Sequence, residues 1–317
     1  MKRFKQNKKQ GRSFPERTVL AGNVLAGKGA YGVRAKKSLG QNFLTNKKVV
    51  EDIIAVAELK QDDIVLEIGP GKGFLTEALL KKVSGPKTDF SQEGKNVLGQ
   101  GRVIAIEKDG DLVDFLREKF KKEIADKKLI LVHGDILKFD PIIYKLKTKN
   151  YKIVANIPYY ITGRIFREFL TSDIQPSLMI LMAQKEVAYR ILGNIDALNY
   201  KGQSGKGKES ILSISVKSYG QPEVICDVSS EYFSPKPKVD SAVIKISRIS
   251  KNFFIKNRIN EDDFFTLVKL GFANKRKVVR NNLKLKNTEP LLKCGISEKA
   301  RAENLTIENW VCLLRRV

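Results

Sequence analysis

The chain has 317 residues, 42% hydrophobic and 30% charged, with 59 Lys+Arg against 35 Asp+Glu and a net charge of +24. That length suffices for one large domain plus a smaller one, and no apolar stretch approaches the roughly 20 residues of a membrane span. One histidine (His133) and three widely spaced cysteines (Cys226, Cys294, Cys312) leave little room for Ser-His-Asp catalysis, a multi-histidine metal site or a disulfide framework, and the cysteines read as reduced thiols in or near a core.

The charge excess points to a polyanionic partner, nucleic acid first. An anionic membrane would call for a basic amphipathic helix with a large apolar face, which is not evident. The charge gathers at the ends. Residues 1–37 carry eleven Lys/Arg and one acid, Glu16; residues 249–317 carry fifteen Lys/Arg and seven acids.

In chain order, residues 1–33 lack apolar periodicity and read as a mostly disordered basic arm. Its "TVLAGNVLAGKGAYG" is too glycine-broken and too weakly apolar for a secretory segment, so a soluble, cytoplasmic protein is expected. Val49, Val50, Ile53, Ile54 and Ala57 follow helical spacing, with Thr45 or Asn46 as N-cap. "DIVLEIG" is then a short buried strand, "FLTEALLKKV" a helix, "RVIAIE" a second strand and "DLVDFLREKF" a second helix. "KLILVHGD", "YKIVANIP" and "SLMILMA" read as the third, fourth and fifth strands; "TGRIFREFL" and "EVAYRIL" read as helices. Continuous apolar strands alternating with helices predict an α/β fold, a doubly wound, mostly parallel sheet.

"ILSISVKSYG", "PEVICDV" and "SAVIKISRI" follow without intervening helices and read as an antiparallel edge. Residues 84–101 and 193–209 are Gly/Ser/Lys-rich and read as long surface loops. Beyond Ile249, "DDFFTLVKLGFANKRKVVRNNLKL" and "TIENWVCLLRRV" read as helices. The expected organisation is an arm at 1–33, a main domain at 34–248 and a small helical domain at 249–317.

Several strand ends carry chemistry. "EIGPGKG" (67–73) closes the first strand and opens the first helix, where glycines let a ligand approach backbone N–H groups. Its G-x-G-x-G spacing differs from the G-x-G-x-x-G of dinucleotide binders, and a tight turn without a ligand is the alternative. Glu107 ends the second strand, where a carboxylate can accept hydrogen bonds from ribose hydroxyls. Asp135 ends the third and could hold an adenine amine. Each alone could be a cap or a surface residue; together, along one edge of a parallel sheet, they suggest an adenosine-type site.

Asn156 ends the fourth strand within "NIPYYITG" (156–163). Its side-chain oxygen and a carbonyl of the proline-stiffened turn are two acceptors suited to an exocyclic NH2 group. Tyr159 offers a flat face for a base; Tyr160 reads as a packing residue. "FSPKPKV" (233–239) adds Phe233 as a possible opposite wall, with Lys236 and Lys238 near phosphates. The alternatives are a proline turn with half-buried tyrosines, and a loop with a core phenylalanine.

Over about residues 34–317 the ordered set "KKSLGQNFL" (36–44), "EIGPGKGFLT" (67–76), "GD" (134–135), "NIPYYITG", "QKEVAYRI" (184–191) and "YFSPKPKVDSAV" (232–243) resembles the KsgA-type small-subunit rRNA adenine N6-dimethyltransferases. The resemblance implies a Rossmann-like class I methyltransferase domain with S-adenosylmethionine as cofactor. Asn42 and Leu44 would lie over the methionine end, Gly69 and Gly71 at the glycine turn, Glu107 on the ribose and Asp135 at the adenine, with Ile136 also among the cofactor-binding residues. Asn156 would lie between cofactor and target base, and Tyr159 and Phe233 would sandwich a flipped adenine. The implied reaction dimethylates N6 of two adjacent adenosines near the 3′ end of small-subunit rRNA, in ribosome biogenesis. The partner would be the small ribosomal subunit, the enzyme a monomer, and no metal is implied. "FANKRKVVRNNL" (272–283), with Lys275, Arg276, Lys277 and Arg280, resembles the family's basic C-terminal signature. It favours this family over the related Erm-type large-subunit enzymes and over a DNA adenine methyltransferase. A non-catalytic RNA-binding assembly factor is the alternative of a different class.

Overall fold

The five continuous apolar runs become five parallel neighbours in one sheet. The structure, a computed structural model, describes residues 33–83, 101–193 and 207–317. The arm at 1–32 and the segments 84–100 and 194–206 lie outside the described residues. The elements are β1 (Phe43–Leu44), α1 (Lys47–Val56), β2 (Ile64–Ile68), α2 (Phe74–Val83), β3 (Arg102–Glu107), α3 (Gly110–Lys119), α4 (Lys121–Ala125) and β4 (Leu129–His133). They continue with β5 (Tyr151–Asn156), α5 (Thr162–Thr171), β6 (Leu178–Gln184), α6 (Lys185–Leu192), α7 (Ile211–Tyr219), β7 (Gln221–Val228), β8 (Phe233–Ser234) and β9 (Ser241–Ser247). The C-terminal helices are α8 (Asn252–Asn257), α9 (Glu261–Gly271), α10 (Val279–Asn282), α11 (Glu289–Leu292) and α12 (Ile307–Leu314).

The main sheet runs in the order β4-β3-β2-β5-β6-β9-β7. β4, β3, β2, β5 and β6 are parallel, and β9 and β7 close the sheet antiparallel. Strand order reverses between β2 and β5, so the switch point at which such sheets bind ligands lies outside their carboxyl ends.

The alternating side-chain period divides each strand between two cores. Leu66, Ile68, Ile104, Ile106, Ile153 and Ala155 face α5, α6, α7 and the C-terminal helices. Val65, Val103, Ala105 and Val154 face α1 and α2. The same alternation puts the strand-end residues Glu67, Glu107 and Asn156 on the second side. The first core runs without a break from the sheet into Phe264, Val268, Trp310 and Leu313.

Helix starts follow the local chemistry. Asn46 caps α1 by accepting from Val49 N at 3.1 Å, and Thr306 caps α12 in a reciprocal capping box with Asn309.

Three expectations need correction. "ILSISVKSYG" is not a strand but the helix α7, opened by a capping box between Ser210 and Ser213. Its β-branched residues and alternating serines imitate a strand. Yet Ser213, Ile214, Val216, Ser218 and Tyr219 are all buried, and the small serines let a helix lie inside the core.

The helix expected to run through 262–285 breaks after α9. Gly271 sits against Trp310, where an added Cβ would stand 2.2 Å from the indole ring. The chain then turns through 272–278, held by Asn282 Nδ2 donating to the carbonyls of Gly271 (2.6 Å) and Asn274 (3.1 Å).

Cys294 and Cys312, expected to be reduced thiols, form a disulfide with Cα atoms 5.7 Å apart. Packing of α12 beside the turn after α11 brings the two together, and Asn309 Nδ2 donates to the Cys294 carbonyl at 3.2 Å. Cys226 is a free thiol.

Candidate functional site

At the switch point the ends of β2, β3, β4 and β5 open into a pocket covered by a strap, residues 39–44. Gly69, Gly71, Glu107, Asp135, Ile136, Asn156, Tyr159, Asn42 and Leu44 all line it. The structure thus gathers in one cavity residues spread over more than a hundred positions.

The glycine turn after β2 is a geometric need. Gly71 has φ +58, and a Cβ there would stand 2.9 Å from the Phe43 ring of the strap. Its N–H instead donates to Glu107 Oε2 at 3.3 Å. Glu107 Oε1 accepts from the amides of Lys108 (2.8 Å) and Asp109 (2.9 Å). Burial raises the Glu107 carboxyl above its ordinary pKa, and these three amides offset part of that.

Asp135 caps a short 3-10 turn by accepting from Leu137 N at 3.1 Å, and pairs with Lys108 Nζ at 2.9 Å. Lys108 holds its carboxyl below the usual range.

Asn156 is aimed by the strap. Its Nδ2 donates to the Asn42 carbonyl at 3.2 Å. With the donor end so engaged, Oδ1 is left as an acceptor without a hydrogen-bond partner among the described residues. Tyr159 is half-buried, and its hydroxyl shares a 2.7 Å hydrogen bond with Ser241 Oγ, which fixes the ring.

The structure does not bring Phe233 to the pocket lining. Its ring is 5% exposed and buried in the core of α1 and α2, because β8 pairs antiparallel with β1 and sets Phe233 opposite Leu44. Tyr160, expected to pack, is 61% exposed and stands at the pocket rim. Lys236 is paired with Glu231. Lys238 is exposed, as are Lys275, Arg276 and Lys277 on the turn between α9 and α10. Arg280 is half-buried and donates to the Lys286 carbonyl at 3.4 Å.

Sequence reasoning missed two groups. The first is a latch. Asp109 is 2% exposed and accepts from Lys36 Nζ at 2.5 Å and from Gln41 Nε2 at 2.8 Å, while Gln41 Oε1 accepts from Lys36 N at 2.7 Å. Burial pushes the Asp109 carboxyl up, but Lys36 and Gln41 together hold it below its ordinary value. The latch ties the strap to the loop that follows Glu107. Its signal in the sequence was only a lysine and a glutamine near "QNFL", with a pairing 68 to 73 residues away.

The second is Glu67, a pocket residue that is 1% exposed with Oε2 lacking a partner among the described residues. Burial pushes its carboxyl up to about 8. Thr76 draws it back only in part, since Thr76 Oγ1 also completes no hydrogen bond of normal geometry. The acidic residue before the glycine turn was visible in "EIGPG", but its burial was not.

The family model "Ribosomal RNA adenine dimethylase" matches residues 32–317. The "Ribosomal RNA small subunit methyltransferase A" of Dehalococcoides mccartyi strain BAV1 is 37% identical over 310 residues, covering 95% of this chain and 94% of that protein. The protein of the same name from Fusobacterium nucleatum is 37% identical, covering 88% and 96%. Among solved structures, a dimethyladenosine transferase from Plasmodium falciparum has a TM-score of 0.64 at 25% identity, covering 85% of this chain and 95% of that one. The 23S rRNA methyltransferase ErmE has a TM-score of 0.63 at 24% identity, covering 87% and 99%, which is a likeness of fold. A strap-covered pocket at the switch point of a mostly parallel sheet, and matches that run nearly end to end, place this chain in the ribosomal RNA adenine dimethylase family.

Proposed function

We propose that this protein uses S-adenosylmethionine to dimethylate N6 of two adjacent adenosines near the 3′ end of small-subunit rRNA, acting in the cytoplasm on the small ribosomal subunit during its assembly. The observation that carries the reading is the aimed amide of Asn156, an acceptor pointed by the strap with its donor end already engaged.

The residues present suit that cofactor. Glu67 lines the pocket, and its buried Oε2 has no partner among the described residues, so its carboxylate form would suit a cationic group held beside it. Glu107 and Asp135 sit at adjacent strand ends, where they would hold the ribose and the adenine beside Ile136. Asn42, Leu44, Gly69 and Gly71 would close around the remainder. When bound, the cofactor supplies a sulfonium methyl already activated for transfer.

The protein then needs no nucleophile of its own. Asn156 Oδ1 and the Ile157 carbonyl would accept the two N6–H bonds of an adenine. That pair of acceptors favours a pyramidal nitrogen and turns its lone pair toward the donor. Alignment and proximity supply most of the rate. Tyr159 gives the base a flat wall. Phe233, behind Leu44, supports the strap rather than the base. The exposed turn with Lys275, Arg276 and Lys277 would meet rRNA phosphates, with 1–33 and 249–317 as docking regions and 34–248 as the transfer domain.

Labelled S-adenosylmethionine with undermethylated small subunits tests the reading. Label is expected in dimethyladenosine of the small-subunit rRNA and absent from large subunits and duplex DNA; unlabelled small subunits would overturn it. Neutralising Lys275, Arg276 and Lys277 together should flatten the dependence of subunit affinity on salt, since each phosphate contact contributes roughly one unit of log–log slope.

The latch makes a separate prediction. Asp109→Asn keeps the cap on α3 but loses the charge that holds Lys36. Cofactor affinity should fall about 10-fold, Lys36→Met, which also loses the 2.8 Å pair with Asp111, should fall at least as far, and the double variant should be little worse than Lys36→Met, because the Lys36–Asp109 interaction is removed twice. Calorimetric titration of the three proteins checks this; additive losses would show that the two residues act separately.

A further inference from the structure

Tyr160 and Arg164 stand at the rim of the pocket, and the reaction described above uses neither. Tyr160 is 61% exposed, although large aromatics are usually well covered. Its ring is nonetheless supported. Two ring-edge carbons lie 3.4 Å from the position a Cβ would take on Gly40, a glycine of the strap with φ +62. The strap therefore backs the ring while much of it stays open to solvent. The Tyr160 hydroxyl has no hydrogen-bond partner among the described residues.

Arg164 follows four residues later, where the 3-10 turn at 159–161 runs into α5. It is exposed, lines the same pocket, and has no carboxylate partner among the described residues. Two other cations of the lining are engaged: Lys108 is held by Asp135, and Lys72 lies over the Phe43 ring at 5.2 Å.

An open aromatic ring beside an unpaired guanidinium provides what one nucleotide of a single strand requires. The ring takes the base by stacking, and the guanidinium takes a phosphate in a charge-assisted bond. The position at the rim decides which nucleotide. Asn156 and Tyr159 are deeper and would receive the base that reacts; an exposed ring outside them meets the neighbour in the strand.

We propose that Tyr160 and Arg164 form a platform for the nucleotide next to the reacting adenosine, its base stacked on Tyr160 and its phosphate on Arg164. The proposal rests on the RNA adenine methyl-transfer reading above. Physically, the platform offsets part of the cost of unstacking the strand, which enzymes that extrude a base must otherwise meet from the pocket alone. Stacking is tolerant of base identity. The same platform therefore serves whether the first or the second of two neighbouring adenosines is in the pocket.

The test uses the full-length enzyme, undermethylated small subunits, and a single-stranded oligoribonucleotide with 2-aminopurine next to the target adenosine. Tyr160→Ala should weaken oligonucleotide binding and raise KM for subunits by about 10-fold. It should also abolish the 2-aminopurine quenching that stacking produces, with S-adenosylmethionine affinity kept within about twofold. Tyr160→Phe should restore all of these, because the face and not the hydroxyl is used. Arg164→Ala should reduce the log–log salt slope of oligonucleotide binding by about 0.7. Loss of cofactor affinity in Tyr160→Ala as large as the loss for RNA would overturn the platform and make the ring part of the cofactor's cover. Unchanged RNA binding in Tyr160→Ala would overturn it as well. A wild-type enzyme that methylates no RNA at all would instead overturn the reading beneath it.

Discussion

Replacing Asn156 with alanine should lower single-turnover methyl transfer by about 10²–10³-fold, the scale of losing one positioned polar contact to a reacting centre. RNA affinity should stay near wild type, and cofactor affinity within a few-fold. The split follows from the geometry. Asn156 Nδ2 donates to the Asn42 carbonyl at 3.2 Å, so the amide cannot turn its donor end into the pocket without losing that bond. Alanine removes the acceptor while leaving the rest of the lining in place. Asn156→Asp tests the aim and not only the presence of oxygen. A carboxylate offers the acceptor but faces the Asn42 carbonyl with a second oxygen, so the strap contact becomes repulsive and cofactor affinity should fall along with rate. Rapid-quench transfer from labelled S-adenosylmethionine, paired with cofactor and RNA titrations, separates these outcomes. Equal losses of rate and RNA affinity in the alanine variant would contradict the assigned role.

Much of this site was legible in the sequence because parallel strands are buried on both faces. Their apolar runs end abruptly, and Glu107, Asp135 and Asn156 mark the ends. Once the fold class is known, strand ends share one edge, so residues far apart in sequence can be assigned to one pocket. What the sequence concealed depended on particular contacts. Phe233 reads as a base wall, yet a two-residue pairing of β8 with β1 turns its ring into the core. Tyr160 reads as packing, yet the turn after Pro158 exposes it. The strand-like "ILSISV" becomes α7 because buried serines fit where a helix crosses the core. Asp109 could not be recognised as a latch, since Lys36 and Gln41 reach it across about seventy residues.

Glu67 carries the other large effect, and it appears in stability against pH. The ordinary value for this carboxyl is 4.5, and burial pushes it up to about 8. Between those values the folded protein keeps a proton that the unfolded chain releases, so the stability this group contributes is fully present below about pH 4.5 and lost as pH rises toward 8. Each pH unit across that window is about 1.4 kcal/mol at most, which makes the total a few kcal/mol. Glu67→Gln cannot ionise, so its stability should vary less with pH. The variant should match wild type near pH 5 and exceed it by about 2–4 kcal/mol at pH 8.5, with no further divergence above that. Denaturant titrations of both proteins from pH 5 to 9 check the sign and the window; parallel curves would mean that Glu67 is ionised throughout or equally solvated in both states. The group that destabilises the free protein is also suited to a cationic ligand. A positive charge held near Glu67 would favour its ionised form, so binding S-adenosylmethionine near pH 7 should release a proton. Calorimetry in buffers of different ionisation enthalpy should detect that proton in wild type and not in Glu67→Gln, and the variant's cofactor affinity should lose its rise between pH 6 and 8.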